Sequence, residues 1–194
     1  MAENLSYLYA EAPVSATGEY PDVPPPDPPL SPLLLAARWQ SHDLYGEDIP
    51  GVAADMLEAG YDTPALRRLA GEIQIASSSD VEPLVTQMFH ELGVGFPLSG
   101  VRARMVTSRQ VAREVVAGLR NRWTAASHLE IVVWRWNAPD GTLAALFSIN
   151  DEIDWDQQYR RNIDILNREL LDLFARIGRL TDSEIAQFGS TGSA

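Results

Sequence analysis

The chain contains no cysteine. Disulfides, thiolate zinc sites and cysteine nucleophiles are thereby excluded, and the cytosol is the natural compartment to expect. Lysine is absent too, since all 15 basic residues are arginine. A P-loop needs a lysine on the phosphates, so that class of nucleotide site is excluded. A GC-rich bacterial genome accounts for the bias, because lysine codons are AT-rich. Long apolar runs are also missing. The stretch PLLLAA is among the longest, far short of the ~20 residues of a membrane span. The opening MAENLSYLYAEAP has neither the basic start nor the apolar centre of a signal peptide. A soluble, cytoplasmic protein with no membrane role is expected.

Catalytic signatures are equally sparse. His42, His90 and His128 fall on three different predicted helices, so no two share a helical face as metal ligands would. The serines of FPLSG and FGSTG do not form the GxSxG elbow of a nucleophilic hydrolase. No cofactor is implied.

What is present is acid, proline and helical grammar. The formal net charge is −12, and it is unevenly spread: residues 1–97 hold 15 acids and 3 arginines, residues 98–194 hold 12 of each. Phosphate recognition needs a basic stripe, so nucleic acid is not an expected partner. An acidic half suits a basic protein partner, which its field steers into contact. The acids of 41–62 (Asp43, Glu47, Asp48, Asp55, Glu58, Asp62) are the expected partner-binding residues. Seven of the 13 prolines lie in PDVPPPDPPLSP at 21–32, a composition that favours a stiff extended strut.

Beyond the strut the chain reads as helices. Ser31–Pro32 gives a cap followed by proline at the first helical position, and Gly46 is the expected stop. A second helix follows Pro50 and ends at Gly60. A third is capped by Asp62 or Thr63, with Pro64 next and Gly71 at its end. Asp80 is the expected cap of a helix with Leu84, Met88 and Leu92 four apart. Ser108 is the expected cap of another, with Val111, Val115 and Leu119 on its stripe.

The segment TAASHLEIVVWRWNAPDGTLAALFSI admits two readings. A Pro-Asp-Gly turn between β-rich flanks suggests a hairpin. Ala125, Leu129, Val132, Val133 and Trp136, however, follow a helical stripe. Trp134 and Trp136 cannot share one helical stripe, and Arg135 lies between them. This places an aromatic and an arginine at the surface, where both favour partner binding.

The last long helix is the clearest. Tyr159, Ile163, Leu166, Leu170, Leu173 and Ile177 are spaced 4-3-4-3-4, an apolar seam suited to a core or to a homodimer through 159–177. Asp156, Arg160, Asp164, Arg168, Asp172 and Arg176 alternate in sign every four residues and mark a wet face. The ladder's first member, Asp156, also closes an acidic cluster with Asp151, Glu152 and Asp154. Carboxylates so close can hold a hard cation if a second acidic segment faces them. They equally suit a helix start, where acids meet free N–H groups and the positive end of the dipole.

Two stretches, AADMLEAGYDTPALRRLAGE and AREVVAGLRNRWTAASHLEIVVWRW with the following LAALFSINDEIDW, resemble a group of small bacterial proteins common in GC-rich genomes. The resemblance implies a mostly helical fold, favours the helical reading of 125–136, and hints at an immunity role. The expected fold is mainly α: one helical domain of about seven helices over 31–188, a proline-rich arm at 1–30 and a flexible tail at 189–194. The alternative is an α+β fold with a β-hairpin at 128–149. The expected function is a non-enzymatic, immunity- or antitoxin-like inhibitor of a basic toxin domain. The alternatives are a metal-dependent enzyme built on Asp151, Glu152, Asp154 and Asp156, and a homo-oligomeric scaffold.

Overall fold

A computed structural model describes residues 14–72, 77–126, 129 and 163–187. The described part is mainly helical, as the sequence predicts, and no strand occurs among the described residues. Seven α-helices have bounds within it: α1 (Pro32–Gln40), α2 (Ile49–Glu58), α3 (Pro64–Ala70), α4 (Ser78–Glu91), α5 (Gly100–Val116), α6 (Ile163–Gly178) and α7 (Asp182–Gln187). A 3-10 turn, Gly46–Asp48, precedes α2. Residues 122–126 are also helical. Of the ambiguous segment, Ala125 and Leu129 are buried; the hairpin alternative at 128–149 otherwise lies outside the described residues.

The chain divides into two compact units, one of residues 1–26 with 108–184, the other of 27–107 with 185–194. Residues 14–26 of the arm fall in the first unit, and α5 contributes residues to both.

The second unit follows the predicted grammar closely. Ser31 stands at the N-cap position of α1, without a side-chain capping bond, and Pro32 is the first residue of the helix. The helix stops at Gln40, short of the expected Gly46, because Ser41 and His42 close it. The His42 N–H donates to the Trp39 carbonyl (3.2 Å) and the Asp43 N–H to that of Arg38 (2.9 Å). This is the paired pattern of a Schellman end, with His42 at φ 60° where glycine is usual. Gly60, at φ 92°, ends α2 as expected.

Thr63 caps α3, its Oγ1 accepting the Leu66 N–H at 3.3 Å. A second acceptor comes from α4: Glu91 takes the Ala65 N–H (2.9 Å) and the Gln87 amide (2.7 Å). The Ala65 N–H holds the Glu91 carboxyl below the ordinary carboxylate range. Helices α2 and α3 pack on each other, as do α3 and α4.

Two expectations for this unit need correction. Asp80 is not the cap of α4. Ser77 is, and Asp80 sits three residues in, accepting the Ser77 N–H at 2.8 Å. The buried stripe is Val81, Val85, Met88 and Phe89, with Leu84 and Leu92 only half-buried.

In α5 the correction is larger. The helix begins at Gly100, where Ser99 Oγ accepts the Arg102 N–H at 3.2 Å. Ser108 is a buried residue inside the helix rather than its cap. Val111 and Val115 are buried as expected. Leu119 is 70% exposed, because α5 has ended at Val116 and Gly118 turns the chain at φ 71°.

The first unit has one continuous core, in which Val111, Ala112, Val115 and Val116 of α5 join Trp123, Ala126 and Leu129 and the buried face of α6. That face, Leu170, Leu171, Leu173, Phe174, Ala175 and Ile177, is wider than the predicted seam, as a globular core requires. Arg168, Asp172 and Arg176 are exposed, so the described part of the charge ladder is a wet face. Two buried arginines, Arg109 and Arg113 (4% and 7% exposed), close the C-terminal end of α6. Arg113 Nε donates to the Gly178 carbonyl (2.8 Å), and Arg109 Nη1 to the Leu180 carbonyl (3.1 Å) and Asp182 Oδ1 (2.6 Å). These bonds satisfy carbonyls near the helix end and place cations at the negative end of its dipole.

The arm is fastened to this unit. Its Ala16 N–H donates to the Val116 carbonyl (2.8 Å), the Tyr20 hydroxyl to Asp172 (2.7 Å), and Arg179 forks onto Asp22 (2.6 and 2.8 Å). Gly118 permits the approach: a Cβ there would lie 2.6 Å from the Ser15 nitrogen.

Candidate partner-binding groove

The six acids singled out in 41–62 are all exposed, and no arginine occurs in that stretch. The structure sorts them into two kinds. Asp48 and Asp62 are used locally: Asp48 accepts the Tyr45 N–H at 2.9 Å, and Asp62 holds Arg67 through two bonds of 2.6 and 2.8 Å. The side-chain carboxylates of Asp43, Glu47, Asp55 and Glu58 make no hydrogen bond or ion pair among the described residues.

Of these four, Asp55 and Glu58 are brought together. They lie one turn apart on α2, at i and i+3, and therefore on one face. That face borders a groove of about 600 Å³, lined by Pro28, Pro29, Leu30, Asp55, Glu58, Ala59 and Tyr61. The lining is an apolar floor of prolines, leucine and an aromatic ring beside two carboxylates. Asp43 and Glu47 do not line it.

The local electrostatics make the position of Asp55 and Glu58 unusual. They occupy the last turn of α2, where the dipole is negative, and that turn carries no basic residue. At an exposed site and low ionic strength, acids at this end of a helix are unfavourable by about 0.3–1 kcal/mol each, and cations are favourable by the same amount. The helix is thus less stable for having them, unless a cation is supplied from outside. Such a conflict between local preference and observed residue is a mark of functional surface.

The chemistry available is recognition. A cationic side chain laid in the groove finds its charge met by two carboxylates and the α2 dipole. Its aliphatic stem finds Pro28, Pro29, Leu30 and the Tyr61 ring. Asp55 and Glu58 are among the acids expected from the sequence, whereas Pro28, Pro29, Leu30 and Tyr61, which line the groove with them, are not. The signal that was there to use is the pair of acids directly before a helix-ending glycine, with no arginine nearby.

The other expected sites fall elsewhere. Trp134, Arg135 and Trp136, and the cluster Asp151, Glu152, Asp154 and Asp156, lie outside the described residues. Among the described residues no group of three or more histidines and acids is placed to hold a metal ion. No helix of the described residues is long and apolar enough to cross a membrane. The described part of the 159–177 seam, Leu170, Leu173 and Ile177, is buried within this chain's own core. No protein-family model, curated protein or solved structure matches the chain.

Proposed function

We propose that the chain is a protein-binding protein that captures a basic partner, in the manner of an immunity protein or antitoxin neutralising a basic toxin domain. The observation that carries this is the pair Asp55 and Glu58: two unpaired carboxylates at the negative end of α2, on the rim of an apolar groove. The wider charge supports it, since the whole −12 lies in residues 1–97. A field of that sign steers a basic partner to the surface, and the groove fixes its register. Steering acts on the rate of association, while the apolar floor acts on the lifetime of the complex.

The test is site-directed capture. A photo-crosslinking side chain placed at Tyr61, in the full-length chain expressed in its source cell, is expected to trap a protein with a net positive charge. With that partner purified, Asp55→Asn/Glu58→Gln is expected to slow association about tenfold at low salt, with the difference shrinking as salt is raised. An acidic or neutral partner at Tyr61, or an association rate indifferent to salt, would overturn the reading.

A further inference from the structure

A second cavity in the same unit has a different chemistry. It is enclosed more deeply than the groove, measures about 210 Å³, and is walled by Trp39, His42, Leu44, Glu82, Phe96 and Pro97. Each wall has a cause in the sequence. Trp39 lies in the last turn of α1, and the Schellman end at His42 folds the chain back so that Leu44 follows it into the wall. His42 adopts φ 60°, a conformation that costs a residue with a Cβ about 1 kcal/mol. Ser78, Ser79 and Glu82 come from the first turns of α4, where residues at i, i+3 and i+4 share a face.

The polar groups on these walls are not equally free. Ser78 Oγ accepts the Gly46 N–H (2.9 Å), and Ser79 Oγ is bonded to Ser77 Oγ (2.6 Å). The Glu82 carboxylate makes no hydrogen bond or ion pair among the described residues. No arginine lines the cavity. An anion would meet the N-terminal end of α4, but it would also meet the Glu82 carboxylate. Asp80, in the first turn, already offsets the dipole there. The cavity therefore favours a cation over an anion.

We infer that this cavity is a guanidinium-binding site, with the Glu82 carboxylate taking the charge and the Trp39 indole taking the flat face of the group. A planar, weakly hydrated guanidinium suits an aromatic wall beside a carboxylate better than a compact, strongly hydrated ammonium does. The volume sets the size of the occupant. It falls below the roughly 300–1,000 Å³ of pockets that hold drug-sized ligands, and so fits one alkylguanidinium: a small free molecule, or the side chain of a partner's arginine. The inference stands apart from the groove, with which the cavity shares no residue.

The experiment is an NMR titration of the full chain, following the Trp39 indole N–H, which is identified by its loss in Trp39→Phe. Butylguanidinium is expected to give a saturable shift with a millimolar Kd, in keeping with a ligand of few atoms. Butylammonium is expected to bind more weakly, and the isosteric but uncharged butylurea not to saturate. Glu82→Gln is expected to weaken butylguanidinium binding about tenfold, as losing one charged contact does. Asp55→Asn/Glu58→Gln is expected to leave it unchanged, which keeps this result separate from that of the groove. A blocked Gly-Arg-Gly peptide identifies the source: tighter binding than butylguanidinium points to a partner's arginine, weaker binding to a free small molecule. Equal binding of butylurea, a Kd unmoved by Glu82→Gln, or competition by inorganic phosphate would overturn the assignment.

Discussion

The two units of this chain are held together by different means. In the unit of 27–107, neighbours in sequence are neighbours in space: α2 packs on α3 and α3 on α4, and the caps, Ser77 with Asp80 and Thr63 with the Leu66 N–H, span three residues. The unit of 1–26 and 108–184 has local caps as well, at Asn121 and Thr181, but its arm is fastened by bonds between residues far apart in the chain, 152 positions for Tyr20 and Asp172 and 157 for Asp22 and Arg179. Its buried arginines likewise reach across 65 and 71 positions. Local caps each contribute a little and can be lost singly. Long-range fasteners close large loops and form only when the core is assembled. The acids follow the same contrast: in the first unit the exposed Asp22 and Asp172 hold the arm, while in the second Asp55, Glu58 and Glu82 hold nothing internal.

Three measurements would break or sharpen this comparison. The largest effect is expected for Arg109→Ala. It removes bonds to the Leu180 carbonyl and Asp182 from a side chain 5% exposed and leaves a void, a loss of about 2–4 kcal/mol. Native-state hydrogen exchange should show reduced protection in 108–126 and 163–178, with α2 and α3 unchanged. An equal loss in α2 and α3 would show that the units unfold as one. A smaller effect, about 1 kcal/mol, is expected for Thr63→Ala, which removes the α3 cap. It should lower protection in α3 and its neighbours, and a loss as large as that of Arg109→Ala would undo the distinction between local and long-range fastening.

The smallest effect is a pH dependence. Burial pushes the Tyr20 hydroxyl up from 10.0 to about 12, with its bond to Asp172 adding to the shift. The folded state holds this proton more tightly than the unfolded state does. Its stabilisation is therefore complete below about pH 10 and lost as pH rises through about 12. Phenolate absorbance should show one late-titrating tyrosine that disappears in Tyr20→Phe. If the late component survives that substitution, the arm is not held by this bond.

Some of this was legible without a fold. Ser31–Pro32, Thr63–Pro64, Gly60 and Gly71 marked helix ends correctly, because capping and glycine termination are decided by residues within a turn of each other. The described apolar positions of α6, Leu170, Leu173 and Ile177, and its exposed Arg168, Asp172 and Arg176 were legible for the same reason, a period set by the backbone. The errors share a cause as well. Ser108 and Asp80 have the chemistry of caps, but Ser99 and Ser77 lie ahead of them and start their helices earlier. Leu119 belongs to its stripe by spacing, yet α5 has stopped before reaching it.

Asp55 and Glu58 were chosen among six acids that composition could not tell apart. What separated them was Pro28, Pro29, Leu30 and Tyr61 arriving beside α2 from both directions along the chain. The cavity at Trp39 and Glu82 gave no sign in sequence at all, because its walls come from three stretches up to 58 positions apart. The sequence by itself determined the helices, their caps and the surplus of acid, all of which depend on neighbours a few residues away. Only the tertiary structure decided which carboxylates are consumed as fasteners and which stand over an apolar floor, because a carboxylate's partners are set by packing between segments distant in the chain.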